Sequence, residues 1–184
     1  MPSELAHIFV STMLGKTSFP GRMPARFWAL TAVCSVLPDI DLLANYFGVR
    51  YNGSYGHRGF THSLPFALLA SVLVVLLAFP AIQRYSKKWW RLVALFFIVT
   101  ASHGVLDSMS AKGTGVGFFI PFDNTRYSLP WRFPFASPMS VPRFFSRAGL
   151  DIMIGEIIWI WLPMLLFYAC VSLYRKRKQP RPRE

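Results

Sequence analysis

Apolar residues in this chain come in blocks rather than in stripes. Nearly unbroken apolar runs occupy residues 64–82 and 92–101, and another fills 152–174. A bilayer core takes roughly 20 mostly apolar helical residues. The pattern therefore predicts three full membrane spans, over about 60–82, 89–109 and 152–174. Trp89, Trp90, Tyr168 and Tyr174 lie near the ends of these blocks, where amphipathic rings suit the headgroup layer.

The first forty residues break the pattern. Residues 5–14 are apolar and residues 27–37 are apolar, but each block is too short to cross comfortably. The stretch GKTSFPGRMPAR between them is a Gly- and Pro-rich turn. The expectation is a helical hairpin that enters the membrane and returns. A conventional first span over 27–47 is the alternative. An uncleaved signal peptide over residues 1–20 is a weaker one, since a basic start and a small-residue cleavage site are both missing. The expected fold class is thus all-α: a polytopic membrane helical bundle with three full spans plus an N-terminal helical hairpin. One membrane-embedded domain covers 1–174, with an interfacial loop or lid at 110–150, and a basic tail follows at 175–184.

Composition supports this reading. Of the 184 residues 53% are hydrophobic and 16% aromatic, and the mean hydropathy is +0.37, which excludes an ordinary soluble domain. The formal net charge is +12, and its distribution matters more than its size. Arg84, Lys87, Lys88 and Arg91 crowd one short loop, and RKRKQPRPR follows the last block. Short loops dense in Lys and Arg stay cytoplasmic, and Lys16, Arg22 and Arg26 fall on the same side. A pI near 10.3 would suggest nucleic acid in a soluble protein. Here the clusters flank spans, so topology and anionic lipid account for them, and no nucleic-acid partner is expected. Cys34 and Cys170 sit in apolar segments without CxxC spacing and read as buried thiols.

The scarce polar residues then stand out. PDID (38–41), HRGFTHS (57–63) and SHGVLD (102–107) each lie at the end of a predicted element, on the face opposite the basic loops. The hairpin would return His7 to that face too. Seven potential metal ligands converge: His7, Asp39, Asp41, His57, His62, His103 and Asp107. They include all four histidines and three of the eight acids. His103 and Asp107 are spaced i, i+4 and share a helix face. His57 and His62 lie roughly 140° apart on an ideal helix, so they converge only with His57 in a loop, which Gly56 and Gly59 permit. Each motif has a plainer reading: a buried imidazole satisfied by Asp107, Thr61 as an N-cap, Asp39 as a cap. Ionisable groups at membrane depth are costly and tend to be functional, and three such motifs on one face exceed what capping needs. Nitrogen and carboxylate ligands suit zinc first, and also manganese or iron. Seven ligands leave room for two ions.

PDID, GHRGFTHS and SHGVLDSMSAKG followed by IPF resemble the LexA-binding, inner-membrane-associated hydrolase family, also described as membrane-bound metal-dependent hydrolases. The likeness covers roughly residues 4–122. In motif order it is distantly similar to zinc-dependent phospholipase C, whose HxxxD pattern His103 and Asp107 match. The resemblance implies a metal-dependent hydrolase of the bacterial inner membrane. Residues 113–119 depart from the usual pattern, and 123–150 match nothing in it.

On this reading HRGFTHS supplies two ligands with Arg58 between them to neutralise a phosphate or another anion, and Asp39 or Asp41 takes the proton of an activated water. The favoured substrate is a phosphoester, lipid-linked in one version, drawn from membrane lipids. Arg126, Arg132, Arg143, Arg147 and Trp131 make 110–150 an interfacial lid or a plain membrane-facing loop. Glu156 faces the cluster or pairs with a polar group of the bundle. Two alternatives stay open: a membrane protein that binds or transports a metal without catalysis, and a b-type haem protein with His62 and His103 as axial ligands.

Overall fold

Residue-level description of the computed structural model covers 2–110, 113–134 and 145–178. The chain is helical throughout its core. Helix α1 spans Glu4–Ser18 and α2 spans Ala25–Val36, continued by a 3₁₀ helix at Leu37–Phe47. After a looped segment come a 3₁₀ turn at Phe60–His62, α3 (Leu64–Ala78) and α4 (Lys87–Ser108). Helix α5 (Arg147–Glu156) runs through a π-helical turn, Ile157–Trp161, into α6 (Leu162–Lys178). Among the described residues the only β pairing is an isolated antiparallel bridge between Val116 and Tyr127.

Three helices are long and apolar enough to cross a membrane: Ala25–Ala44, Lys87–Ser108 and Arg147–Lys178. The number matches expectation but the membership does not. The block expected as a span over 60–82 forms a 15-residue helix, about 22 Å long at 1.5 Å per residue. Ser63 caps its start by accepting from the Phe66 N–H, with Pro65 in the first turn. Pro80, just past the Phe79 C-cap, prevents continuation. The missing long helix is Ala25–Ala44, where the second hairpin arm runs on through PDID.

That arm still pairs with α1. Arg91, at the start of α4, donates to the Ser18 carbonyl at the end of α1 and lies over the Phe19 ring. Arg26, opening α2, lies over Phe79, which ends α3. These contacts fix one pole of the bundle, where Lys16, Arg84, Lys87 and Lys88 also fall. Its core, packed from α2, α3 and α4, includes Phe27, Val75, Leu92, Phe96 and Val99. Because both arms return from this pole, the hairpin expectation holds: residues near 7 and near 39 share the opposite pole.

The last helix sits at the edge. Only 6% of its apolar window is buried, against 50% for α4, so most of it is left to face lipid. Its π turn has a cause in Pro163, whose ring crowds the carbonyl four residues back and lacks an N–H. Glu156, immediately before that turn, is buried and accepts from both the backbone N–H and the hydroxyl of Ser3. A carboxylate at the first turn of α1 also meets the positive end of the helix dipole.

Residues 113–134 form a strap over the pole opposite the basic loop. The Gly117 N–H donates to the Arg58 carbonyl, the Leu64 N–H to Phe118, the Leu129 N–H to Ser108 and the Phe133 N–H to Met109. Part of the lid expected at 110–150 lies outside the described residues, including Arg143, as does the tail beyond residue 178.

Candidate metal centre

The PDID motif begins at the change from α to 3₁₀ geometry. Pro38 cannot donate into the helical ladder, and the tighter winding turns Asp39 and Asp41 apart while keeping both at the pole. HRGFTHS lies in successive turns ending at the 3₁₀ turn, so His57 is in a loop and His62 precedes the Ser63 cap. Gly56 and Gly59 are required there: a Cβ would fall 2.0 Å from the Arg50 carbonyl oxygen and 2.3 Å from that of Ser54. Arg58 between them adopts φ +64°, a left-handed conformation uncommon outside glycine. On α4, His103 and Asp107 share one face, as their spacing implied.

All seven expected residues meet at this pole, and six are fully buried, Asp39 being partly open. His62 lies between the two carboxylates of PDID, with Nδ1 3.0 Å from Asp41 Oδ2 and Nε2 3.5 Å from Asp39 Oδ1. His103 Nε2 is 3.4 Å from the same Asp39 oxygen, and His62 Nε2 is 3.9 Å from Asp107 Oδ2. Asp39, His62, His103 and Asp107 each offer an atom, all within 4.8 Å of one another. Such separations are too long for hydrogen bonds but close to the edges of a tetrahedron built on 2.0–2.2 Å bonds, about 3.3–3.6 Å.

The histidine tautomers agree. His103 Nδ1 lies 2.8 Å from the Ser35 carbonyl oxygen, so that nitrogen carries the proton and Nε2 presents a lone pair toward Asp39. His62 Nδ1 pairs with the Thr61 hydroxyl at 3.2 Å and lies 3.0 Å from Asp41 Oδ2, which leaves its Nε2 bare. This is the arrangement in which an outer carboxylate or carbonyl orients a metal-binding imidazole. The bare atoms are orphaned: Asp39 Oδ1 and Oδ2, His62 Nε2, His103 Nε2 and Asp107 Oδ1 are buried without a hydrogen-bond partner. Lone pairs facing carboxylate oxygens repel unless a cation lies between them, so the donor set fits a divalent ion.

Asp41 lies at the same pole but is more heavily hydrogen-bonded than Asp39. With His57 and His62 it forms a second group of potential ligand atoms, but its oxygens already accept from three donors, and His62 Nδ1 lies 3.0 Å away. The donors are His57 Nδ1 at 2.9 Å, the Arg58 N–H at 3.1 Å and the Thr61 hydroxyl at 2.7 Å. Geometry therefore makes Asp41 the orienting carboxylate of the loop, and Thr61 serves it instead of capping α3. Arg58 turns inward: Nε donates to Asp107 Oδ2 at 3.0 Å and Nη2 to Ser110 at 3.3 Å. Gly113 lies against its Nη1, with no space for a Cβ. Glu156 pairs with Ser3 rather than with the cluster.

His7 is present as well. Its ring stacks on His103 with centroids 4.0 Å apart, Nε2 is 3.6 Å from Asp107 Oδ1, and neither ring nitrogen has a partner. Sequence reasoning missed Glu4, which interacts electrostatically with Asp39, His103 and Asp107. The overlooked signal is the i, i+3 spacing of Glu4 and His7, which puts both on one face of α1. The haem arrangement does not fit. His62 and His103 point their Nε2 atoms at one carboxylate oxygen with centroids 4.9 Å apart, leaving no plane for a porphyrin between them.

Arg126 clamps the strap to this loop through the carbonyls of Gly53 at 2.9 Å and His57 at 3.2 Å, and its burial lowers its pKa. Nearby Asp123 is held below the usual carboxylate range by hydrogen bonds from the Thr125 hydroxyl and N–H and from Tyr127.

A helical bundle with apolar spans and a buried His/Asp cluster at one pole defines a polytopic membrane protein with a candidate metal centre. The chain belongs to the YdjM inner membrane protein family, which matches residues 3–178. It is 33% identical over 181 residues to the inner membrane protein YbcI of Escherichia coli (strain K12), covering 96% of this chain and 100% of that protein. No solved structure matches it.

Proposed function

We propose that this protein is a membrane-bound metal-dependent hydrolase acting on a phosphoester, lipid-linked in the favoured version. The observation that carries the reading is the set of buried, unpartnered donor atoms on Asp39, His62, His103 and Asp107. A divalent cation, zinc by preference, would supply Lewis acidity and activate water at neutral pH. His62, His103, Asp39 and Asp107 would hold it, with Asp41 and the Ser35 carbonyl orienting the imidazoles. Asp39 Oδ2 has no hydrogen-bond partner, and it would accept the proton of the attacking water. Asp41 is too fully engaged for that task. Arg58, already on Asp107, lies where it can share a guanidinium N–H with an anionic substrate oxygen.

The membrane setting favours a lipid-linked substrate. Tyr46, Phe47, Tyr55, Phe122 and Trp131 are exposed on the segments that surround the site, as rings in a headgroup layer would be. The basic pole is cytoplasmic on this reading, and the site opens on the other face of the inner membrane.

The test is a screen of phosphomonoesters, phosphodiesters and phospholipids with metal analysis on the same purified sample. Metal-dependent release of phosphate or alcohol, abolished in His103→Ala, is the expected result. Stoichiometric metal with no turnover on any ester would favour the binding or transport reading, and protein that takes up no transition metal after reconstitution would end both.

A further inference from the structure

Every helix that carries a site residue is short between the basic pole and that residue. On α4, Lys87 and His103 are about 24 Å apart along the axis. Arg26 lies over Phe79, the C-cap of α3, and from there back to the Ser63 N-cap, which directly follows His62, is again about 24 Å. Along α2 and the first residues of the 3₁₀ helix, Arg26 and Asp39 are about 21 Å apart. On α1, Ser18, which Arg91 holds, is about 17 Å from His7. Helical side chains lean toward the start of their helix, which brings the His103 imidazole and the Asp107 carboxylate still closer to the basic pole. A hydrocarbon core is about 30 Å thick. With Arg26 and Lys87 at one boundary of that core, beside the exposed Trp90, Asp39, His62 and His103 fall about 6 Å or more short of the other boundary.

We infer that the site lies within the hydrocarbon depth of the bilayer and is reached from the side, by a substrate that is itself a membrane lipid. That the lipid is a substrate rests on the hydrolase reading above, whereas the depth rests on the helices alone. Two further observations agree with it. First, the outer walls at the level of the site are apolar. Val105, between His103 and Asp107 on α4, is 41% exposed, and Ile40 and Leu43, just after Asp39, are each more than half exposed. Ionisable groups at this level turn inward, as they do at membrane depth. Second, the side toward water is roofed. Arg126 donates to the Gly53 carbonyl, the Ser54 hydroxyl donates to Asn124 Oδ1 at 3.0 Å, and the Gly117 N–H donates to the Arg58 carbonyl. Exposed polar residues of this roof, such as Asn52, Asp123 and Asn124, stand beyond the site and suit the headgroup layer.

Depth selects the source of the substrate. A water-soluble phosphoester would have to shed its hydration to reach an ion sunk below the surface, at the desolvation cost of an anion. A lipid meets the same ion with its chains still among other chains, and only its ester has to enter the protein.

The experiment uses full-length protein, with Cys34 and Cys170 replaced, in nanodiscs of phosphatidylethanolamine and phosphatidylglycerol. Spin labels are placed one at a time through Val105→Cys, Leu43→Cys, Ile98→Cys and Asn52→Cys, all at exposed positions. Power saturation then reads collisions with oxygen, which concentrates among lipid chains, and with a water-soluble nickel chelate. Positions 105 and 43 should favour oxygen, as should position 98, two turns deeper on the same face of α4, and position 52 should favour nickel. In the second arm, dioleoylphosphatidylglycerol in the disc is compared with glycerophosphoglycerol in solution, the same phosphodiester without chains. The lipid should be turned over with kcat/KM higher by at least about tenfold. Nickel access at 105 and 43 as high as at 52 would overturn the depth. Equal turnover of the two esters would overturn the sideways route. No turnover of either, with 105 and 43 among the chains, would sink the hydrolase reading and leave the depth standing.

Discussion

The Ser3 hydroxyl donates to Glu156 Oε2 at 2.6 Å, joining the first turn of α1 to the end of α5. No other hydrogen bond between side chains links these two parts among the described residues. Its partner bond from the Ser3 N–H uses the second carboxylate oxygen. Removing the acid would leave a buried donor pair unsatisfied, costing about 1–3 kcal/mol, whereas Ser3→Ala removes a cap worth about 1 kcal/mol. Thermal unfolding in detergent should therefore rank Glu156→Ala below Ser3→Ala, with the double variant less destabilised than the sum. Strict additivity would show that the two residues do not act on each other.

Metal should stabilise the fold, because the ligand geometry exists only in the folded chain. Zinc at a hundred times its Kd is expected to add about 2.7 kcal/mol, seen as a rise in Tm that a chelator reverses. His62→Ala should abolish the rise, since its Nε2 faces both Asp39 and Asp107. His57→Ala should keep it at about 10- to 100-fold weaker affinity, because His57 acts on Asp41. Equal loss in the two variants would make His57 a ligand.

Much of this site was legible from spacing. The i, i+4 relation of His103 and Asp107 needs only an α-helix, and apolar runs announce helices. HRGFTHS was legible through its glycines, which forecast a loop able to bring His57 back toward His62. Two things were not. The length of α3 was overestimated because hydropathy registers apolar character but not the stops imposed by Ser63 and Pro80. The hydrogen bonds that Asp41 accepts from the Arg58 N–H and the Thr61 hydroxyl arise only when the loop closes on it, so no spacing in the sequence announces them. Glu4 was missed for a simpler reason: it sits at the start of a short apolar block that looked like part of a membrane arm.

The loop's dependence on glycine can be tested separately. At Gly56 an added methyl would meet the Arg50 oxygen at 2.0 Å and the Tyr51 oxygen at 2.4 Å, and neither is the end of a flexible side chain. Gly56→Ala must move backbone, at a cost of about 1–3 kcal/mol or more, and His57 would move with it. Gly21→Ala, with nothing within 4 Å of the added carbon, is the control. Matching Tm and metal affinity in the two variants would contradict the close approach.

The distribution of charge and site along the bundle predicts an orientation that labelling can check. Lys87 and Lys88 open the 22-residue helix α4, while His103 and Asp107 lie in its last two turns, roughly 24–30 Å along the axis from its start. A helix of that length puts its two ends in different interfaces. Lys and Arg in short loops are retained on the cytoplasmic side, so the site should open on the other face. In a background with Cys34 and Cys170 replaced, single cysteines at the exposed positions Gln83 and Asn52 report the two poles. A membrane-impermeant thiol reagent applied to intact spheroplasts should label position 52 and spare position 83 until the membrane is permeabilised. The opposite result would turn the protein over and place the candidate metal centre, with any substrate it takes, on the cytoplasmic leaflet.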